Sequence, residues 1–446
     1  LDEKDKSVIQ EGYRNFLRCR GFQPRFGQKN MIAEIAKVLS HKDPNKRLAV
    51  IEAGTGTGKT IAYLIAALPL ARAQKKTLIV STGTIALQEQ LVKKDLPDLL
   101  SNCGWDFSYT LMKGRGRYAC NLRMHNYLAE LSTSKGDALF LFDDEKVLED
   151  PVTADLYTEL WEAMENGTWD GDRDTWKSHI DEFHWRPLTV DRRQCAGRNC
   201  RFVKECAFFR ARSELEVSDC IVVNHDLVMA DFSLGGGIIL PPLEESIYVF
   251  DEAHRLCETA VRHFGADCHI KSSCNWLEKV NRQCKAQAGM NETGSELVEL
   301  LSIVAEQAQN VLNLLKESHP ICEQYLSKIH VTGEEKTYRF SHGNVEDDLR
   351  LLSIQIKKTL GDWLKQVEAL NNLLKDMLTN RNGQAAVENI ENLFQIVGQW
   401  LGRAKKMTVL WDKLSRDIRA ESIPLARWVS SLTAANRREE ISLSAY

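Results

Sequence analysis

A chain of 446 residues is long enough for roughly three domains of ordinary size, each with its own core. Its net charge of -4 and pI near 6.3 exclude a globally basic nucleic-acid binder, so any basic surface must be local. No apolar run reaches the ~18 residues of a membrane span, and the charged start LDEKDKSVIQEGYRNF has no signal-peptide core, so a cytoplasmic, non-membrane protein is expected. The first residue is Leu1, as in a trimmed or fragment chain.

The first informative stretch is Phe22-Gln23-Pro24-Arg25-Phe26-Gly27-Gln28, followed by a helical run, MIAEIAKVLS. Arg25 and Gln28 are candidates for an adenine grip, because a Gln amide can pair with the N6/N7 edge of the base. Leu48 to Ile51 reads as a buried strand and Thr60 opens an apolar run to Ala71 that reads as a helix. Between them lies a phosphate-binding loop: Ala53, Gly54, Thr55, Gly56, Thr57, Gly58, Lys59 and Thr60. The glycines let backbone N–H groups turn onto phosphate oxygens, and the helix N-terminus adds partial positive charge. Lys59 is placed to reach the β- and γ-phosphates, and Thr60 to put a hydroxyl on Mg²⁺. The usual first glycine of G-x-x-x-x-G-K-S/T is Ala53 here.

Thr77 to Val80 reads as a second strand, ending in STGTIALQEQL, where Thr82, Gly83 and Gln88 sit at a strand end and a helix start suited to a DNA phosphate. Phe107 to Met112 reads as a third strand and leads into Lys113, Arg115, Arg117 and Tyr118. Three cations and an aromatic in six residues fit single-strand binding by charge and stacking. A long insertion follows, about 113 to 212, closed by CAGRNCRFVKEC. With Cys120 it gives Cys120, Cys195, Cys200 and Cys206 at C-x74-C-x4-C-x5-C. A lone cysteine with a wide trio favours an iron-sulfur cluster over zinc, which prefers C-x2-C pairs, and over unliganded thiols. The other eight cysteines show no such spacing and read as small buried or surface side chains.

Asp219 to Val223 reads as a strand ending in Asn224 and His225, and Ser246 to Phe250 as another ending in Asp251-Glu252-Ala253-His254. A strand feeding two carboxylates is the second half of a P-loop ATPase. Asp251 is placed for Mg²⁺ and Glu252 to accept the proton of the attacking water. From about 255 to 427 the pattern turns helical, with Leu297, Leu300, Leu301, Val304, Ala308, Val311, Leu312 and Leu315 on one face and Leu349, Leu352, Ile356, Leu360, Trp363 and Val367 on another. Val331 to Phe340 reads as a short extended excursion. Gln399 to Arg403 imitates a helicase arginine-finger motif inside an amphipathic run, and is read as helix.

The stretches FQPRFGQKNMI, EAGTGTGKT, STGTIALQEQL, KGRGRYAC, CAGRNCRFVKECAFFRAR, IVVNHDLVMA and FDEAH make the chain, from about residue 20 to 265, resemble the XPD-like iron-sulfur helicases of superfamily 2. The resemblance implies an α/β fold, a RecA-like P-loop parallel sheet with an inserted iron-sulfur domain and an inserted all-α arch. The expected division is motor domain 1 at 1–112 and 213–265, cluster domain at 113–212, arch at 266–425, and a return to the motor at 426–446. It implies an ATP-dependent 5′-to-3′ DNA helicase acting on tailed or branched DNA in repair. Lys59, Asp251 and Glu252 would be catalytic, His254 would join the nucleotide contacts, and Asn224 and His225 the DNA path. The four cysteines would ligate a 4Fe-4S cluster. Expected partners are single-stranded DNA, its junctions with duplex, and a single-strand binding protein, with the helicase itself a monomer. Neither the Ser-Ala-Thr motif nor a second RecA-like domain with its arginine finger occurs before Tyr446, so the chain is expected to be an amino-terminal portion that cannot unwind duplex alone. The competing reading is a nucleotide-responsive iron-sulfur module that binds DNA or senses redox state without motor activity.

Overall fold

The computed structural model describes residues 1–132, 151–289, 295–329, 336–379, 384–417, 425–433 and 439–446. They form two compact units, Leu1–Gly114 with Ala207–His263, and Arg115–Cys206 with Phe264–Tyr446. Among the described residues no helix is long and apolar enough to cross a membrane.

The first unit is built on a parallel sheet of β1 (Thr77–Thr82), β2 (Tyr109–Leu111), β3 (Cys220–Asn224) and β4 (Ser246–Phe250), in the order β2-β3-β1-β4. The inner strands are short apolar runs, as a sheet covered on both faces requires. Leu78, Ile79 and Val80 are fully buried and pair with Cys220, Ile221 and Val222. Helix Lys59–Ala73 is apolar nearly all round, and nine of its fifteen residues are buried, so it is a core element and not an amphipathic cover. Its ends are therefore fixed, which matters because its first turn carries Lys59 and Thr60. The expected α/β order on a parallel sheet is present, and the DEAH residues follow its strand β4.

The expected strand at Leu48–Ile51 is not formed. Residues 47–54 have no regular secondary structure, and Leu48 and Val50 are 81 % and 92 % exposed. A strand needs a neighbour for its N–H and C=O groups. Within the sheet β4 pairs with β1 alone, and no described strand pairs with 48–51.

The second unit departs from the expected division. Helices Ile270–Ala288, Ser295–Ser327, Asp347–Thr379 and Gln384–Ser415 pack on the faces foreseen: Leu301, Val304, Ile356, Leu360 and Trp363 are fully buried. Trp363 also donates its indole N–H to the Val304 carbonyl at 3.1 Å. The unit is not all-α, however. β5 (Ala266–His269), β6 (Lys336–Arg339), β7 (Arg427–Thr433) and β8 (Glu439–Ala445) form an antiparallel sheet in the order β5-β8-β7-β6. The described residues of 426–446, expected to return to the motor, are thus held here by register pairs such as Val429 with Leu443. The cause is a period-2 pattern: Ile441, Leu443 and Ala445 are buried on one face. The excursion foreseen at 331–340 contains β6, and 331–335 lie outside the described residues.

Nor are the cluster segment and the helical segment separate. Tyr127, Tyr157, Trp169, Trp185 and Leu188 join one continuous apolar core with the four long helices.

Candidate nucleotide and cluster sites

The loop after residue 52 is shaped for phosphate. Gly56 and Gly58 have φ of 78° and 81°, a region glycine enters at no steric cost, and Thr57 caps the turn by donating its hydroxyl to the Gly54 carbonyl at 2.7 Å. Arg25 donates to the Gly56 carbonyl, and Gln28 donates to the Gly58 carbonyl at 3.0 Å while accepting from the Tyr13 hydroxyl at 2.8 Å. Gln28, 93 % buried, therefore braces the loop and keeps one amide N–H and one lone pair to offer a base. Beside it lies a cavity of about 220 Å³ bordered by Phe22, Gln23, Arg25, Gln28, Gly58 and Ile61.

The fold brings the two motifs together. Lys59 Nζ lies 3.3 Å from Glu252 Oε1, and His254 Nδ1 lies 3.3 Å from Glu252 Oε2. Asp251 accepts a hydrogen bond from Tyr63 at 3.4 Å, and its backbone N–H is tied to the Ser81 carbonyl at 2.8 Å. Burial first, and the Glu252 charge second, push the Asp251 carboxyl above the usual carboxylate range. A cation brought to Asp251 would reverse that effect by favouring the ionised form. Glu252 is held at φ 55°, unusual for a residue with a side chain, and such strain collects at functional sites. Tyr63 was not legible beforehand. Its only sequence signal is its place one turn after Thr60, on the same helix face.

An alanine at Gly58 tests this geometry. The left-handed backbone costs a side chain about 1–2 kcal/mol, and the new Cβ would run into the Gln28 amide nitrogen. Nucleotide affinity of Gly58→Ala is expected to fall at least about tenfold, the equivalent of ~1.4 kcal/mol, in a fluorescent-nucleotide titration. Unchanged affinity would place the phosphates elsewhere.

The expected DNA contacts fare less well. Thr82, Gln88 and His225 are 0 %, 3 % and 2 % exposed, so none of them offers a surface to a strand. Thr82 donates to the Thr84 carbonyl, and His225 Nδ1 meets Ser81 Oγ at 2.7 Å. Asn224 caps the helix His225–Ser233 by accepting from Leu227 N–H at 2.9 Å. Gly83 packs against the Arg255 side chain. Thr82, Asn224 and His225 thus fasten the ends of β1 and β3. In the second unit Arg117 pairs with Asp174, and Tyr118 is 7 % exposed and bridged to Asp172, so neither is presented for stacking. Lys113 and Arg115 are half-buried.

All four candidate cysteines, Cys120, Cys195, Cys200 and Cys206, belong to the second unit and are half-buried. Burial, then Cys195 and Cys206, push the Cys120 thiol up to about 11. Burial, then Cys120, Glu391 and Cys195, push Cys200 up to about 12. Cys120 thus lies within charge reach of each of the other three, and the Cys195 sulfur also accepts the Gly197 N–H at 3.4 Å. A donor set made of thiols alone fits an iron-sulfur cluster in its chemistry. Among the described residues no three His, Cys, Asp or Glu side chains are grouped closely enough to hold a single metal ion, whereas a cluster binds each thiol through a different iron. Cys103, Cys220, Cys268, Cys274, Cys284 and Cys322 are buried, while Cys19 and Cys257 are exposed. Arg403 of the finger-like motif lies over Trp276 at 4.7 Å, inside the helical unit.

Comparison with known proteins agrees with the site. Residues 27–118, which include the phosphate loop, match the family described as DEAD/DEAH box helicase. The ATP-dependent DNA helicase DinG of Photobacterium profundum is 33 % identical over 96 % of this chain and 60 % of its own length. That of Escherichia coli (strain K12) is 30 % identical over 92 % of this chain and 55 % of its own. A solved structure named Truncated XPD aligns over 85 % of this chain and 82 % of that one, at 15 % identity and a TM-score of 0.35, too low for the folds to be equated. The chain spans 55–60 % of the length of these two DinG proteins, and along nearly all of its own length it is their sequence relative.

Proposed function

We propose that the chain carries the nucleotide-binding part of an ATP-dependent DNA helicase that moves 5′ to 3′ along the single strand of tailed or branched DNA in repair. The observation that carries this reading is the meeting of Lys59 with Glu252 beside a half-buried Asp251, on a loop already shaped for phosphate. Lys59 would hold the β- and γ-phosphates. Thr60 and Asp251 would hold a Mg²⁺ that would supply positive charge to the phosphates, and Glu252 would accept the proton of the attacking water. The cavity beside Gln28 is the seat for the base. In this reading Cys120, Cys195, Cys200 and Cys206 hold a 4Fe-4S cluster, which supplies a redox-active centre and a rigid cross-link when bound. The protein works in the cytoplasm as a monomer alongside a single-strand binding protein.

The test uses the full-length protein. Single-stranded DNA is expected to stimulate ATP hydrolysis, and duplexes with 5′ tails to be unwound in preference to those with 3′ tails. Lys59→Ala is expected to abolish both activities. Unwinding of 3′-tailed duplex alone would overturn the polarity, and DNA-independent hydrolysis would overturn the motor.

A further inference from the structure

Three of the four cysteines sit on one loop, and that loop rests on a helix from a distant part of the sequence. Two contacts make the seat. At the first, the backbone of Arg193, two residues before Cys195, lies directly on Gly398 of helix Gln384–Ser415. A Cβ there would sit 2.5 Å from the Arg193 carbonyl oxygen and 2.8 Å from Gln194 Cα, so the approach requires glycine. At the second, Glu391 reaches the residue that follows Cys200. Its Oε1 accepts the Arg201 backbone N–H at 3.2 Å and its Oε2 faces Arg201 Nε at 3.3 Å, with the carboxylate side chain wholly buried. A buried carboxylate persists only where partners compensate it, so this contact is specified and not incidental. Gly398 and Glu391 are seven residues apart, two turns on one helix face spanning about 10 Å. They bracket the stretch from Cys195 to Cys200. Asn199 adds a bond to Thr379 of the preceding helix at 3.1 Å.

We infer that Gly398 and Glu391 are positioning residues for the cluster: helix Gln384–Ser415 clasps the loop at both ends and sets the separation of Cys195 and Cys200. The inference rests on the cluster reading above. Neither residue would touch iron, and both act through backbone they hold in place, as outer-shell groups around metal ligands do. The clasp also explains why the segment 115–206 and the helical segment share one core: the loop is spaced by the helix and not by its own turns.

The test measures iron and not activity. Full-length protein, purified anaerobically, is assayed for iron and acid-labile sulfide, and cluster loss to EDTA is followed by visible absorption near about 400 nm. Gly398→Ala and Glu391→Gln, folded by far-ultraviolet circular dichroism, are expected to lose the cluster on the order of tenfold or more faster than wild type. Lys405→Ala, on the same helix as Gly398, removes an exposed ion pair with Glu368 of helix Asp347–Thr379 and is expected to match wild type. Where Gly398→Ala does not fold, Glu391→Gln decides. Wild-type loss rates in the folded variants would overturn the clasp while leaving the cluster standing. A wild-type protein without iron would overturn the cluster reading and the clasp with it.

Discussion

Glu252→Gln is expected to lower DNA-stimulated ATP turnover by about 10²–10⁴, the range a positioned general base contributes, while nucleotide binding is kept or improved. The sign follows from the ion pair. Lys59 and Glu252 hold each other at 3.3 Å, with side chains 29 % and 34 % exposed, so their attraction is worth at most about 1 kcal/mol. An arriving γ-phosphate offers Lys59 a more highly charged partner. Lys59 then leaves Glu252, and the freed carboxylate is available to take a proton from water. Glutamine removes both the base and the competitor for Lys59, so turnover falls without a loss of affinity. Lys59→Ala separates the roles, since it should weaken nucleotide binding as well. Steady-state hydrolysis with a nucleotide titration on each variant makes the comparison. Hydrolysis within a few-fold of wild type in Glu252→Gln would place the base elsewhere, and His254, 3.3 Å from the same carboxylate, would be the next group to replace.

What sequence could and could not reveal follows the physics of each signal. The P-loop was legible because its glycines and Gly-Lys-Thr are rare residues at fixed spacing directly before a helix, and DEAH because its two carboxylates close the apolar strand β4. The long helices were legible because an apolar stripe such as Leu352, Ile356, Leu360, Trp363 and Val367 repeats over many turns. The strand at Leu48–Ile51 was misread because apolarity gives no information about a pairing partner. β7 was missed because the adjacent Ser430 and Ser431 break its alternation, and β8 because its short Ile441/Leu443/Ala445 alternation is stabilised only by pairing with β7. The polar groups of Thr82 and His225 looked available because a sequence cannot show that a side chain turns back onto its own strand ends, and Gln88 because it cannot show burial. Glu391 and Gly398 gave no signal at all, since their partners lie some 190 to 205 positions away in sequence.

The largest effect on the second unit should come from Cys120→Ser. Cys120 opens the four-thiol set, and its backbone N–H donates to the Leu188 carbonyl at 2.8 Å, tying the start of the segment to its end. Serine is nearly isosteric and keeps that bond, so the backbone tie survives while the soft sulfur ligand is lost. Iron and sulfide are therefore expected to fall to background, and the 115–206 segment to unfold at lower temperature. Nucleotide binding should not follow. The phosphate loop and Asp251 are held by a different apolar core, in which Leu64, Ile65, Leu78, Val80 and Val222 are all fully buried. That core shares no member with the one that contains Tyr127, Trp185, Trp363 and Trp411. Two separate cores permit two separate transitions. Calorimetry of Cys120→Ser, with and without saturating nucleotide, is expected to show one transition displaced downward and a second that nucleotide still raises. A joint downward shift of both, with nucleotide affinity lost, would show that the cluster thiols also maintain the phosphate site.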